Sequence, residues 1–239
     1  GNAVTLDNVY TMTFSEQQGG FFAGLAAAMT TTSNKVAVIN GMPYPTNVNY
    51  EYGFMSGVNY ANEHYGTSAE CVELPSYAGT DVMGNPVGGN YVGDFADEAT
   101  GKVVAESLID QGCDVLFIAA GAAGNGCMTA VKEASGVYAI GCDVDQFDDG
   151  ANGDSNVILT STLKVMDVNV CKQLTAIYDG TFQGGDAYLG ADTDSSSYVS
   201  AEGRQQLSED ALAKMAECYE LVKDGTIVPA ADATVNDYV

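Results

Sequence analysis

The stretch 114–146, "DVLFIAAGAAGNGCMTAVKEASGVYAIGCDVDQ", carries the reading of the whole chain. "DVLFIAAG" is a continuous apolar run that stops at Gly121, the pattern of a strand buried on both faces. A glycine-rich turn follows, a helix is expected from about Asn125 to Ala134, and "VYAIGCDV" is a second apolar strand that ends in Asp143 and Asp145. Strand, helix and strand in that order form a βαβ unit with parallel strands. In an open sheet of this kind ligands are held at the carboxyl ends of the strands, which here are the glycine-rich turn and the aspartates.

The flanking sequence repeats the alternation. "KVAVINGM" (35–42) is an apolar strand ending near Gly41, and Tyr50, Gly53, Phe54, Gly57, Val58 and Ala61 then recur at the helix period. "CVELPSY" (71–77) reads as a short strand, glycine, asparagine and proline crowd 78–93, and "DEATGKVVAESLIDQG" (97–112) returns to helix with Gly112 as its stop. Beyond the aspartates, "NVILTSTL" (156–163) and "DAYLGA" (186–191) are strands, while 164–179 and 207–224 are helices. The first 34 residues supply one strand, "NVYTMTF", and one small-residue helix, "GGFFAGLAAAM". The fold class is α/β with parallel sheets, and the pieces outside 35–155 look like part of a second lobe that is short of strands.

Composition narrows the partners. In 239 residues there are 32 acidic against 8 basic side chains, a net charge of −24. Such a surface repels nucleic acid, anionic lipid and polyphosphate, so a partner is expected to be neutral, cationic, or held in a shielded cleft. No apolar run is long enough to span a bilayer. The six cysteines show no CxxC spacing and His64 is the single histidine, which argues against zinc and thioredoxin-like chemistry. Several cysteines fall in apolar runs and are expected to act as small buried hydrophobes, with pairing left open. No cofactor or metal is expected. The chain opens at Gly1 without methionine or a basic leader, as a processed or shortened form would.

The candidate chemistry lies at the strand ends. "GAAGNG" (121–126) spaces its glycines GxxGxG, not GxGxxG, so a helix N-terminus offering amides to a neutral polar ligand is favoured over a phosphate cradle. Asp143 and Asp145, two apart on a strand, should point to one side. They read as a solvated edge, as acceptors for ligand hydroxyls, or as a metal pair, and the run D-x-D-x-x-D-D lacks the glycine and closing glutamate of an EF-hand loop. Lys164, in "TSTLK", is expected to open a helix, where a cation is mildly unfavourable and calls for a partner such as Asp143 or a ligand hydroxyl. The alternative is a solvated lysine. No nucleophile stands beside a base, and His64 reads as a helix-end residue, so binding is favoured over turnover and the chain is not expected to be an enzyme.

Taken together, "NVYTMTFSEQQGGFFAGLAAA", "KVAVINGMPYPTNVNYEYGFMSGVNYAN", "YVGDFADEATGKVVAESLIDQGCDVLFIAAGAAGNG", "YAIGCDVDQ", "ILTSTLK" and "DGTIVPA" resemble the basic membrane protein family of substrate-binding lipoproteins. Its best-understood members are purine nucleoside receptors of ABC transporters. The resemblance implies a type I periplasmic-binding-protein fold of two Rossmann-like lobes, crossed three times by the chain, with a nucleoside in the cleft. It divides the chain into a partial first lobe (1–34), a second lobe (35–155) and crossover segments that return to the first lobe (156–239). It implies that the base stacks between aromatics and that Asp143, Lys164 and, less directly, Asp145 hold the ribose, with Gly41, Gly121, Gly124 and Met128 lining the base or the cleft wall. It also implies an ABC permease as partner and an extracytoplasmic, lipid-anchored location for the full-length form.

Two departures from the family pattern stand out. Met128 stands where relatives carry an aromatic, and about a hundred residues that relatives have before "NVYTMTF" are not present. A missing N-terminal piece, or self-association through an unpaired sheet edge, is the corresponding expectation. Two other readings remain: a ligand-sensing domain of a regulatory system with the same fold, and a nucleoside or glycoside hydrolase built on the aspartates.

Overall fold

A computed structural model describes residues 6–234. In chain order the elements are β1 (Tyr10–Phe14), α1 (Glu16–Thr30), β2 (Lys35–Asn40), α2 (Pro45–His64), β3 (Glu70–Cys71), the hairpin β4 (Gly79–Thr80) and β5 (Pro86–Gly88), and α3 (Glu98–Asp110). There follow β6 (Val115–Ala119), α4 (Ala123–Glu133), β7 (Tyr138–Gly141), the hairpin β8 (Ala151–Asn152) and β9 (Ser155–Asn156), and β10 (Ile158–Lys164). The chain continues through α5 (Met166–Tyr178), β11 (Gly185–Leu189), β12 (Ser196–Tyr198) and α6 (Glu209–Lys223).

The main sheet runs β12-β10-β7-β6-β2-β3, parallel except for β12 at one edge. Its strands alternate burial between two faces. Val36 and Val38 pack with Phe21, Leu25, Phe54 and Met215 beneath α1, α2 and α6, while Ala37 and Ile39 pack with Val104, Leu108, Cys127 and Val131 beneath α3 and α4. From β2 the chain adds β3 on one side and then β6 on the other, so the order reverses between β2 and β6. The carboxyl ends of strands flanking such a reversal leave a crevice.

One close approach sets the geometry of that crevice. A Cβ on Gly24 would overlap the Phe54 carbonyl, and one on Gly57 would overlap the Phe21 carbonyl. The helices α1 and α2 therefore meet backbone to backbone, which brings Glu16 and Tyr50, near their N-termini, over the same sheet edge.

Several sequence expectations are adjusted. The strand expected over 71–77 is only Glu70–Cys71, because the segment 90–92 takes its place: Asn40 N donates to Asn90 O (2.8 Å) and Val92 N to Asn40 O (2.9 Å). Pro75, without a donor, opens a short 3-10 turn instead. Lys164 ends β10 and does not open α5, and the carboxylate of Glu16, the first residue of α1, lies 3.1 Å from its ammonium. Residues 16–30, assigned by the sequence reading to a first lobe, pack on the main sheet through Phe21, Phe22 and Leu25. β10, β12 and α6 also join that sheet, so much of 156–239 lies with residues 35–155.

What remains apart is small. β1 and β11 form a parallel pair with no third strand among the described residues, and α5, between β10 and β11 in sequence, exposes Val168, Leu174, Ile177 and Tyr178. The chain passes between this pair and the main sheet at Ser15, Val165 and Gly190. Ser15 N donates to Leu189 O (2.9 Å) and Val165 N to Ser195 O (2.9 Å), which holds the three crossings together.

Candidate ligand-binding site

The ends of β6, β7 and β10 and the first turns of α2 surround a cavity of about 360 Å³, a size in the usual range for small-molecule sites. Asp143, Lys164, Gly121, Gly124 and Met128 all line it. Two other expected residues do not. Gly41 is buried behind the wall, where a Cβ would collide with the Phe95 ring, and it is Phe95 that faces the cavity. Asp145 points elsewhere: its carboxylate accepts from Arg204 Nε (2.8 Å) and from Phe147 N (2.9 Å).

The separation of the aspartates has a backbone cause. β7 ends at Gly141, and Asp143 adopts a left-handed conformation (φ 69°), which aspartate tolerates better than most residues. Strand alternation therefore stops before the pair, and 143 and 145 diverge. Gln146 locks the turn by accepting from Cys142 N (2.9 Å) through Oε1, while its backbone N donates to Ser161 Oγ (3.1 Å). Arg204 bonds Asp145 and Asp148 together (Nη1 to Asp148 Oδ1, 2.7 Å) and holds the Asp145 carboxyl below its ordinary range despite some burial.

Around Asp143 and Lys164 the polar contacts converge. Asp143 Oδ1 accepts from Tyr50 OH (2.9 Å) and pairs with Lys164 Nζ (3.3 Å), while Lys164 N donates to the Asp143 carbonyl (2.9 Å). No hydrogen bond to Asp143 Oδ2 occurs among the described residues. Lys164 Nζ also pairs with Glu16 (3.1 Å), whose side chain is only 4 % exposed. Burial works against the ammonium charge, but the carboxylates of Asp143 and Glu16 outweigh it and hold Lys164 above the ordinary lysine range. Burial pushes the Glu16 carboxyl up, partly offset by Lys164, and pushes the Cys142 thiol and the Tyr50 phenol up as well.

Apart from Asp149, the rest of the wall is apolar or neutral. Phe95, Ile118 and Met128 offer flat or flexible apolar surface, and Thr46, Asn47 and Asn125 offer neutral polar groups. The helix amides expected to face a ligand are already used: Ala123 N donates to Phe95 O (2.8 Å), Gly124 N to Gly121 O (3.0 Å) and Asn125 N to Ala122 O (3.0 Å). With those three donors occupied and Lys164 paired to two carboxylates, the cavity is poorly suited to a phosphate. Tyr50, Phe95, Asn47 and Glu16 escaped the sequence reading. Asn47 and Tyr50, three apart on the first turns of α2, carried a detectable signal as polar residues following a strand end.

Comparison with known proteins bears on the same residues. The pattern of one family, described as "ABC transporter substrate-binding protein PnrA-like", matches residues 2–74 and 86–215. The chain belongs to this PnrA-like substrate-binding family. It is 33% identical over 233 residues to a CD4+ T-cell-stimulating antigen of Listeria innocua, covering 92% of this chain and 59% of that protein. It is 30% identical over 190 residues to the ABC transporter nucleoside-binding protein BmpA of Lactococcus lactis, covering 74% of this chain and 48% of that one. The chain thus spans about half to three fifths of the length of these relatives.

Among solved structures, the PnrA-like chain resembles an ABC transporter solute-binding protein from Aeropyrum pernix K1, with a TM-score of 0.75 and 24% identity over 99% of this chain and 71% of that one. It also resembles a protein from Bacillus halodurans described as a transcriptional activator of the comK gene (TM-score 0.74, 22% identity, 96% and 70% covered). These likenesses establish the periplasmic-binding-protein-like fold expected from the sequence. The β4–β5 hairpin begins in the stretch that the family pattern skips, residues 75–85, and so lies partly outside the common core.

Proposed function

We propose that the chain is the greater part of a receptor that captures a nucleoside, with a purine base preferred, and delivers it to an ABC permease. The observation that carries this reading is the pairing at the cavity floor. An ammonium has three donors. Glu16 and Asp143 flank the Lys164 ammonium as ion pairs at 3.1 and 3.3 Å, which leaves donor capacity for a ligand oxygen, and Asp143 Oδ2 beside it is available to accept from a ligand hydroxyl. A donor and an acceptor side by side match the vicinal hydroxyls of a ribose. The planar base would lie against Phe95 and Met128, with Asn47 at its edge. The nucleoside-binding relative from Lactococcus lactis supports the ligand class.

In this reading β1, α5 and β11 belong to one lobe and the main sheet with the other helices to the second. Closure about the crossings at Ser15, Val165 and Gly190 would shift an open–closed equilibrium toward the liganded form. The full-length protein would act outside the cytoplasm, anchored at the membrane. A hydrolase is disfavoured because the carboxylate pair it needs is split, Asp145 being committed to Arg204. A sensing role would use the same cavity, and a permease or a signalling partner captured with the loaded protein separates the two.

Titration calorimetry with inosine, 2′,3′-dideoxyinosine and inosine monophosphate tests the ligand. Inosine should bind, the dideoxy analogue should bind more weakly, the monophosphate should not compete, and inosine should be recovered intact. Asp143→Ala should weaken inosine binding by about 1.5–3 kcal/mol, the usual worth of a hydrogen bond to a charged group. An unchanged affinity in that variant would remove Asp143 from the site.

A further inference from the structure

We propose that Glu16 is a positioning residue of this cleft: from outside the cavity, its carboxylate holds the Lys164 ammonium so that the remaining N–H faces the ligand, and the pair ties two of the three chain crossings together. The proposal rests on the reading of the cavity as a hydroxyl-binding site. It adds a residue that does not line the cavity.

The geometry has three parts. Glu16 is the first residue of α1, two positions after β1 ends, and Lys164 is the last residue of β10. Their 3.1 Å contact therefore joins the segment leaving β1 to the segment leading into α5, at the place where the lobes would pivot. Glu16 is nearly inaccessible, and a carboxylate so placed requires a partner, so its direction is dictated by Lys164.

The ammonium is also confined from other sides. Asp143 holds it at 3.3 Å, and the rings of Phe14 and Tyr50 lie 5.8 and 5.5 Å from Nζ. The groups facing Lys164 are thus Glu16 from α1, Asp143 and the Cys142 thiol from the turn after β7, the Tyr50 phenol from α2 and the Phe14 ring from β1. Burial pushes both the thiol and the phenol up. Asp143 and Glu16 do most to hold the charge of Lys164, Cys142 adding less, and of the two carboxylates only Asp143 belongs to the cavity wall.

A purely structural ion pair would also be buried, so the test must read the ammonium itself. Protein labelled with 15N at lysine, with the Lys164 signal assigned through Lys164→Arg, is titrated without ligand in the wild type, Glu16→Gln and Glu16→Asp. In parallel, inosine affinity is measured from pH 7 to pH 10. The expected result is that Glu16→Gln moves the Lys164 titration down by about one unit. It should also weaken inosine roughly tenfold at pH 7 and add a loss toward pH 10 beyond the one that ionisation of the inosine base imposes on the wild type. Glu16→Asp, which keeps the charge on a shorter stem, should fall between the two and serves if the glutamine variant does not fold. Folded variants with an unmoved Lys164 titration and unaltered affinity overturn the proposal. If the wild type binds no inosine, the ligand reading fails, while the ligand-free titration still decides the role of Glu16.

Discussion

Glu51 follows Tyr50 on α2, yet the two side chains serve opposite ends. Tyr50 reaches the Asp143 carboxylate, whereas Glu51 is fully buried, accepts a short hydrogen bond from Tyr91 OH through Oε2, and leaves Oε1 without a partner. Burial pushes the Glu51 carboxyl up to about 8, the Tyr91 bond opposing and the nearby Glu73 charge assisting. The folded chain therefore keeps a proton that the unfolded chain gives up above its ordinary value of 4.5. Stability from this group is complete below that value and falls by up to about 1.4 kcal/mol per pH unit until the folded value is passed. Urea midpoints at pH 5 and pH 8 should show a decline in the wild type that Glu51→Gln largely removes. An equal decline in both would mean that Glu51 is already ionised at pH 5. The same residue scale holds the Asp143 and Glu16 tests, because each turns on one carboxylate.

Among the elements, α1 and α2 carry the most demanding contact and α5 the least. At Gly24 and Gly57 the backbones touch, so Gly24→Ala must push the helices apart and should cost about 1–3 kcal/mol, as overpacked cores do. Because Glu16 and Tyr50 ride on these helices, the variant should weaken inosine binding as well as lower the melting temperature. Loss of stability with unchanged affinity would separate the helix contact from the site. On α5 the opposite holds: Leu174 is 59 % exposed, and Leu174→Ser should shift stability by no more than about 0.5 kcal/mol in this chain. A larger loss on chemical denaturation would show that the α5 stripe is covered in solution.

Across the whole molecule, charge is the dominant asymmetry. A net −24 spread over 239 residues repels itself, and salt screens that repulsion within about 10 Å at 0.1 M. The melting temperature should rise between 10 and 300 mM sodium chloride, and a flat profile would show that the unpaired carboxylates lie too far apart to repel one another measurably. The alternation of strands and helices over 35–155 was legible because apolar runs and helix periods are local properties of the chain. Asp143 and Lys164 were legible for a related reason: each stands at the end of a buried run, and the ends of parallel strands share one edge. The divergence of Asp145 was not, since it follows from a single left-handed residue inside a turn that Gln146 closes locally and Arg204 holds from 59 positions away. Nor were Glu16, Tyr50 and Phe95 legible as companions of Lys164, because they lie 148, 114 and 69 positions away from it. Helix packing at glycines and the 90–95 loop bring them to the cavity, and such contacts leave no period in the sequence. The order of residues determines where a strand ends and what stands there; only the packed chain determines which of those ends face one another.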